Sequence, residues 1–144
     1  MGTMTMQEIA KKIADIDFTM LSTRAATGEI AARPMSNNGD VEYDGDSWFF
    51  TSDDTQMVKD IERDAQVGLS LQGKQGLLGK PGIFIAIEAK AELVRDKAVF
   101  EEHWNKDLER WFADGVDTPG LVLIKAHAHR IKYWDGEDEG EVTV

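Results

Sequence analysis

The stretch at residues 47–61 combines the residue types that most often hold a phosphate-bearing ligand. It reads Ser-Trp-Phe-Phe-Thr-Ser-Asp-Asp-Thr-Gln-Met-Val-Lys-Asp-Ile. Its aromatic first half predicts a buried strand, and its second half predicts an amphipathic helix. Hydroxyl groups and free backbone N–H groups would then meet at a helix N-terminus, which is a common seat for phosphate. The pattern predicts a cofactor site without naming the cofactor.

The other chemical signals in the chain are weaker. His127 and His129 share one face of a predicted strand, but no third ligand accompanies them, so we expect no metal site. The glycine-rich segment at residues 73–82 lacks the spacing of a phosphate loop, because Lys80 is followed by Pro81. No nucleophile with an adjacent base is evident. If the protein is an enzyme, a bound cofactor should therefore supply the chemistry.

Composition restricts the classes of partner. The 144 residues carry a formal net charge of −11 and no cysteine. This charge opposes binding to nucleic acid and to anionic membranes, and the absence of cysteine excludes disulfides and thiolate chemistry. The N-terminus has no signal-peptide pattern, and no apolar run approaches the ~20 residues of a membrane span. We expect a soluble, cytoplasmic protein with a single domain over residues 1–144.

Periodicity predicts the elements of the first half of the chain. A capping box at Thr5 and Glu8 opens a helix over residues 6–15. Residues 18–24 and 30–35 form a hairpin around Gly28, with Pro34 indicating an edge strand. After a loop at residues 37–40, short strands follow at 41–43 and 47–51. Asp53 or Asp54 is expected to cap the next helix, with Met57, Val58 and Ile61 facing the core and Lys59, Asp60, Glu62 and Arg63 facing water.

The second half of the chain continues the β pattern. Residues 67–71 alternate as a strand, 72–82 form a mobile loop, and 83–94 form a long, curved strand. Asp96 caps a helix that extends to about residue 104, and a second helical piece covers 107–112. Residues 121–134 form the last strand. We expect the acidic tail at 136–144 to be flexible.

These elements predict a mainly β protein. Meander connections without a strand–helix–strand rhythm favour an antiparallel β-barrel with flanking helices. The residues before position 18 form an N-terminal helix outside the barrel.

A series of short segments in fixed order resembles the pyridoxamine 5′-phosphate oxidase-like superfamily, in particular its bacterial general stress protein 26 branch. The segments are Met20-Leu-Ser-Thr, Ala32-Arg-Pro-Met, Asp44-Gly-Asp, Trp48-Phe-Phe-Thr-Ser, Ala91-Glu-Leu-Val, His103-Trp-Asn, Trp111-Phe-Ala-Asp-Gly and Tyr133-Trp-Asp. The resemblance implies a six-stranded split β-barrel. It also implies a homodimer that holds two FMN molecules at the subunit interface, with FAD the less expected flavin.

The resemblance also implies which residues contact the flavin. Arg33 matches the arginine that reaches the phosphate, and Thr55 matches a hydroxyl near it. The remaining matches line the ring and the ribityl chain or close the pocket: Pro34, Met35 and Ser36 on the ring edge, Phe50, Thr51 and Ser52 on the ring and ribityl chain, and Trp111 and Trp134 over the pocket.

One position departs from the family pattern. Met57 stands where family members usually carry a phosphate-binding lysine, and Asp53 and Asp54 add negative charge close by. We therefore expect weak FMN binding. Several functions stay open at this point: an FMN-dependent oxidoreductase, a general stress protein that stores or senses flavin without turnover, a pyridoxamine phosphate oxidase, and a haem- or deazaflavin-binding protein.

Overall fold

The computed structural model of the protein describes residues 3–37 and 42–144. The elements follow the order α1 (Met6–Ala14), β1 (Phe18–Arg24), β2 (Ile30–Ser36), β3 (Asp46–Ser52), α2 (Gln56–Arg63), β4 (Gln66–Gln72), β5 (Phe84–Val94), α3 (Lys97–His103), β6 (Leu121–Asp135) and β7 (Asp138–Val142). Short 3-10 turns lie at Leu77–Gly79, Lys106–Arg110 and Gly115–Asp117.

The strands form one antiparallel sheet in the order β2-β1-β4-β5-β6-β3, with β7 paired to β6. The six-strand path curls into a half-barrel, so the predicted split β-barrel is confirmed. In β5 the register with β6 shifts between Glu88 and Ala89, and such a bulge bends the strand and increases its twist. The two ends of the path, β2 and β3, are the sheet edges that border the split.

Alternation along the strands builds the core. Ile85, Ile87, Ala89 and Ala91 of β5 are buried while the residues between them are mostly exposed, as the sequence predicts. They join α1 and the inner face of the sheet in a main cluster. A smaller cluster of Phe50, Phe100, Leu121 and Leu123 lies under α3 and the segment that follows it.

The helix predictions are confirmed in part. The Thr5–Glu8 capping box opens α1, and Asp96 caps α3. The predicted cap of α2 is wrong, because Thr55 occupies that position and accepts from the backbone N–H of Val58. The predicted helix at 107–112 is a 3-10 turn at Lys106–Arg110.

The prediction that Asp60 faces water is also wrong. Asp60 is buried, with only 1% of its surface exposed. It follows Met57 by three residues, which places it only about 60° around the helix from that core side chain. The carboxylate therefore borders the apolar face and needs polar partners inside the protein.

Two further predictions differ from the structure. The prediction that the tail is flexible is wrong, because residues 138–142 pair with β6 after a turn at Gly136, and Val142 is buried. An ion pair between Arg130 and Glu141 offsets part of the acidic charge. The strand predicted at 41–43 is not formed at Glu42 and Tyr43, and Val41 lies outside the described residues, as does most of the loop predicted at 37–40.

Candidate functional site

A cleft of about 330 Å³ lies where the two sheet edges approach each other. Ser36 and Asn37 contribute from the end of β2, and Asp46, Ser47, Trp48 and Phe50 contribute from β3. The segment from His103 to Trp111 forms another wall, and Asp17 and Phe18 reach the rim from the start of β1. The volume is in the range of small-molecule sites, which begin near ~300 Å³.

Aromatic rings form the wall of the cleft on the β3 side. The Trp48 ring stacks on the His103 ring, with centroids 3.7 Å apart and an angle of 18° between the planes. Phe50 meets Phe100 and Trp104 edge-on at 5.7 and 5.0 Å. Such packing fixes the rings in place. Nζ of Lys125 also lies 5.4 Å from the centroid of the Trp48 ring. Together with the exposed ring of Trp111, these side chains give the cleft an aromatic lining suited to a planar ligand.

The charge of the cleft is predominantly negative. Four carboxylates line it, from Asp17, Glu42, Asp46 and Asp107, against the guanidinium of Arg110. Asp46 has partners outside the cleft: its Oδ1 lies 2.6 Å from Nδ1 of His127, and its Oδ2 lies 3.9 Å from Nζ of Lys125. Each carboxylate accepts hydrogen bonds and repels anions. An uncharged ligand with hydroxyl or N–H groups suits this lining better than an anion.

Tyr43 carries a buried hydroxyl in the wall of the cleft. Its oxygen has no hydrogen-bond partner among residues 3–37 and 42–144. Burial, followed by the nearby carboxylates of Asp46 and Asp44, raises the pKa of this phenol well above its usual value. The group stays protonated at physiological pH and is a donor rather than a base.

Replacing Tyr43 with phenylalanine should stabilise the protein or leave its stability unchanged. A buried hydroxyl without a partner costs about 1–3 kcal/mol, and the substitution removes the hydroxyl while keeping the ring. Thermal denaturation of Y43F beside the matched Tyr133→Phe variant checks this, because the Tyr133 hydroxyl accepts from the backbone N–H of Met4 at 3.0 Å. A Y43F variant less stable than Y133F would contradict the expectation.

A second polar cluster surrounds Arg33 and Asp60. Nη1 of Arg33 donates to Oγ1 of Thr23 at 2.8 Å, and the Thr23 hydroxyl donates to Oδ2 of Asp60 at 2.9 Å. Gln56 donates from Nε2 to the other carboxylate oxygen at 3.0 Å. Nη2 of Arg33 lies 4.0 Å from Oδ2 of Asp60. The cluster links β1 and β2 to α2.

The pKa of Asp60 is held below its usual value despite burial. The hydrogen bond from Gln56 is the largest cause, and the bond from Thr23 and the charges of Arg33 and Arg63 act in the same direction. Asp60 is therefore a permanent negative charge at neutral pH, 4.0 Å from the guanidinium of Arg33.

The structure brings only some of the predicted flavin-contacting residues together. Ser36, Phe50 and Trp111 line the cleft. Arg33 belongs to the Asp60 cluster instead. Thr51 is buried, Ser52 and Met35 are half-buried, and Pro34 is exposed on β2.

The residues predicted at the start of α2 have local roles. The Thr55 hydroxyl donates to the backbone oxygen of Ser52 at 3.0 Å and accepts from the Val58 N–H at 3.3 Å. Met57 is 5% exposed and packs in the main core. Trp134 lies on the outer face of the sheet, where it pairs with Phe84. None of these three lines the cleft of its own chain among the described residues.

Sequence reasoning missed several side chains of the site. Trp48 and His103 are far apart in the chain, so no local signal predicts their stacking. The sequence gives a weak indication of a partner for Asp60, because Gln56 lies four residues earlier and shares its helix face. It also indicates that Thr23 is buried, since Thr23 occupies an inward position in the alternation of β1.

The two histidines of β6 have partners on neighbouring strands. His127 contacts Asp46, and Nε2 of His129 lies 2.7 Å from Nε2 of Gln66. Over residues 3–37 and 42–144, no group of three or more potential metal ligands comes together. None of the helices in these ranges has the length and apolar character needed to cross a membrane.

Comparison with known proteins places the chain in a family. A family model described as pyridoxamine 5′-phosphate oxidase like matches residues 4–144. The chain belongs to this pyridoxamine 5′-phosphate oxidase-like family. The resemblance drawn from the sequence motifs is thereby confirmed.

Two individual proteins show how far the similarity extends. The chain is 26% identical over 117 residues to the protein bli-3 of Neurospora crassa, which covers 75% of this chain and 54% of that protein. The chain thus spans about half the length of this curated relative. Among solved structures, a protein of Clostridium acetobutylicum related to general stress protein 26 superposes with a TM-score of 0.80 at 17% identity, covering 96% of this chain and 94% of that one.

A second solved structure bears on the ligand. The general stress FMN/FAD binding protein of Xanthomonas citri superposes with a TM-score of 0.73 at 25% identity, and the match covers 92% of this chain and 90% of that one. That protein's name states flavin binding. Its similarity extends over almost the whole of the chain described here.

Proposed function

We propose that the protein binds a flavin, with the isoalloxazine ring in the cleft between β2 and β3. The observation that carries the proposal is the aromatic wall of that cleft in a chain of this family. Trp48 and Phe50 are held in place by stacked and edge-on neighbours, and Trp111 borders the opening with 65% of its surface exposed. The flavin-binding relative from Xanthomonas citri supports the same class of ligand.

A homodimer is the second part of the proposal. Five large apolar side chains are between 40% and 72% exposed and belong to the strands of the sheet: Phe18, Met20, Ile30, Phe84 and Trp134. Met20 lies beside Pro34 on one neighbouring strand and Ser70 on the other, so small and apolar residues continue across this outer face. An exposed apolar face of this kind commonly marks a protein interface.

The outer face and the cleft are continuous. Phe18 and Ser36 face each other across β1 and β2, and both also line the cleft. A second copy docked on this face would therefore lie at the rim of the cleft. Trp134, which lies on the outer face, would then close the partner's cleft rather than its own. Ligand binding and assembly are in this way parts of one proposal.

The bound flavin would act either as a redox cofactor or as a stored ligand. A flavin supplies hydride and electron transfer when it is bound. The residues of the chain bind and orient the ring and exclude water from it. Anaerobic mixing with reduced nicotinamide cofactor separates the two roles, because an oxidoreductase bleaches the flavin absorbance and a storage or sensing protein leaves it unchanged. A cytoplasmic location stays a prediction from the sequence.

A fluorescence titration tests flavin binding. Adding the protein to riboflavin or FMN should quench flavin emission saturably, because stacking on tryptophan quenches the excited ring. Trp111→Ala should weaken binding by about tenfold, the loss expected for one stacking contact. Leu77→Ala is the control, since Leu77 is also a large exposed apolar residue and lies in the β4–β5 loop, outside the lining of the cleft. Absence of quenching at high protein concentration would overturn the proposed function.

A further inference from the structure

The charges around the proposed flavin site point to the form of flavin that it accepts. We propose that the site is selective for a flavin without a terminal phosphate, so that riboflavin binds in preference to FMN. The proposal rests on the proposed function and adds the chemical class of the ligand. Its basis is the Arg33–Asp60 pair, the buried Met57 and the carboxylates that line the cleft.

Arg33 is the arginine that the family resemblance assigns to the phosphate, but here its charge has an internal partner. Nη1 donates to the Thr23 hydroxyl and to the backbone oxygens of Ala31 and Leu21 at 2.8, 3.2 and 3.3 Å. Nη2 lies 4.0 Å from the buried carboxylate of Asp60. A phosphate would meet a guanidinium whose charge is already balanced, so its electrostatic gain would be small.

The nearest cation at the start of α2 does not replace the missing lysine, because Lys59 is exposed and lies about 160° around the helix from Met57. Met57 is packed in the core, and Asp53 and Asp54 are exposed acids in the preceding turn. Arg95 lies 2.5 Å from Asp53 and 3.9 Å from Glu62, which balances its charge. The backbone N–H of Val58 is already satisfied by Thr55. A phosphate group here would lose hydration without gaining a side chain of matched charge.

The charges that line the cleft also favour riboflavin over FMN. Asp17, Glu42 and Asp107 repel a phosphate that carries about −1.5 to −2 charge at neutral pH, and they outnumber the guanidinium of Arg110. The charge of Asp46 is partly offset by Lys125. The ribityl chain of riboflavin ends in hydroxyl groups, and these can donate to carboxylates. The isoalloxazine ring is uncharged and contacts the same aromatic wall in both ligands. The difference between the two flavins is therefore confined to the phosphate.

Parallel titrations of the wild-type protein with riboflavin and FMN test the selectivity. At low ionic strength we expect the dissociation constant for riboflavin to be at least about fivefold lower than that for FMN. The ratio should fall at about 0.5 M salt, because salt screens the repulsion of the phosphate. Equal affinities, or tighter binding of FMN, would overturn the selectivity and leave flavin binding intact. Binding of neither flavin would overturn both.

A substitution at Asp60 identifies the cause of the selectivity. Asp60→Asn removes the negative charge and keeps an oxygen that accepts from Thr23 or Gln56. It should strengthen FMN binding by about tenfold and change riboflavin binding by less than about twofold. Glu29→Gln, an exposed acid in the β1–β2 turn, is the control and should leave both constants unchanged. Unchanged FMN affinity in folded D60N would contradict the assigned cause; if D60N does not fold, the wild-type titrations decide.

Discussion

Replacing Asp60 with alanine should lower the free energy of unfolding by about 2–4 kcal/mol. The carboxylate is buried and accepts hydrogen bonds from Thr23 and Gln56 at 2.9 and 3.0 Å. Its removal leaves these donors without an acceptor and leaves the half-buried guanidinium of Arg33 without its anion. The melting temperature should fall by roughly 6–12 °C for a chain of this size.

Thermal and urea denaturation of D60A measure this effect, with Glu62→Ala as the control. Glu62 lies on the same helix, is exposed and makes only a 3.9 Å ion pair with Arg95, so its removal should cost less than about 0.5 kcal/mol. Thr23→Val, which removes one donor of the cluster, should fall between the two. If D60A and E62A are equally stable, the Asp60 cluster is not the link between the sheet and α2.

The ionisation of Asp60 should contribute to the loss of stability at acid pH. The pKa of Asp60 is lower in the folded state than in the unfolded state, where it is about 3.9. The ionised carboxylate therefore makes its full contribution to the free energy of unfolding above the unfolded pKa. That contribution is lost as the pH falls through the pKa of the folded state. The stability difference between wild type and D60N should therefore shrink below about pH 4. A difference that stays constant to lower pH would contradict the charged state of Asp60.

Introducing aspartate at Met20 should separate the proposed dimer. Met20 lies on the outer face between Pro34 and Ser70, where a second copy would bury it. Burying one unpaired carboxylate in each subunit should raise the dimer dissociation constant by about 100-fold or more. Flavin binding should weaken in parallel, because Phe18 of the same face also lines the cleft.

Light scattering coupled to size-exclusion chromatography compares M20D with Ala98→Asp. The control adds the same charge at an exposed position near the start of α3, away from the outer face, and should stay dimeric. A monomeric wild-type protein, or a dimeric M20D with unchanged flavin affinity, would contradict an interface through this face. Far-UV circular dichroism of both variants shows whether each retains the fold.

Most of the strands could be predicted because their signal is local. The alternation of Ile85, Ile87 and Ala89 determines which face of β5 is buried, whichever strands lie beside it. The caps at Thr5 and Asp96 likewise depend on neighbours two or three residues away. The order of the tail is hard to predict because its acidic composition hides Val142, the side chain that packs in the core when β7 pairs with β6.

The candidate site was less accessible to sequence reasoning because its contacts connect distant segments. The Trp48–His103 stack joins β3 to α3, and the Thr23–Asp60 bond joins β1 to α2. Asp60 looks like a surface residue in sequence, since an acid at the margin of a helix face usually reaches water. Its burial depends on two donors from separate elements, and only the folded chain brings them together.

The family resemblance pointed to β2 and β3, whose residues Ser36 and Phe50 line the cleft, but it gave no information on the electrostatics. It also pointed to the turn before α2, which does not line the cleft among the described residues. It assigned Arg33 to a phosphate on the basis of residue type, and residue type alone does not reveal an internal anion. Met57, with Asp53 and Asp54 close by, was the sequence signal behind the expectation of weak phosphate binding.

A crystal structure of the protein grown with riboflavin tests the proposed flavin site and the proposed dimer together. We expect the isoalloxazine ring in the cleft, against Trp48 and beneath Trp111, with a second copy packed over Phe18 and Met20 and its Trp134 at the rim. Arg33 should retain its contacts with Thr23 and Asp60 when the flavin is bound. Flavin bound away from the β2–β3 cleft, or a cleft without flavin in crystals that contain a saturating concentration of riboflavin, would contradict the account.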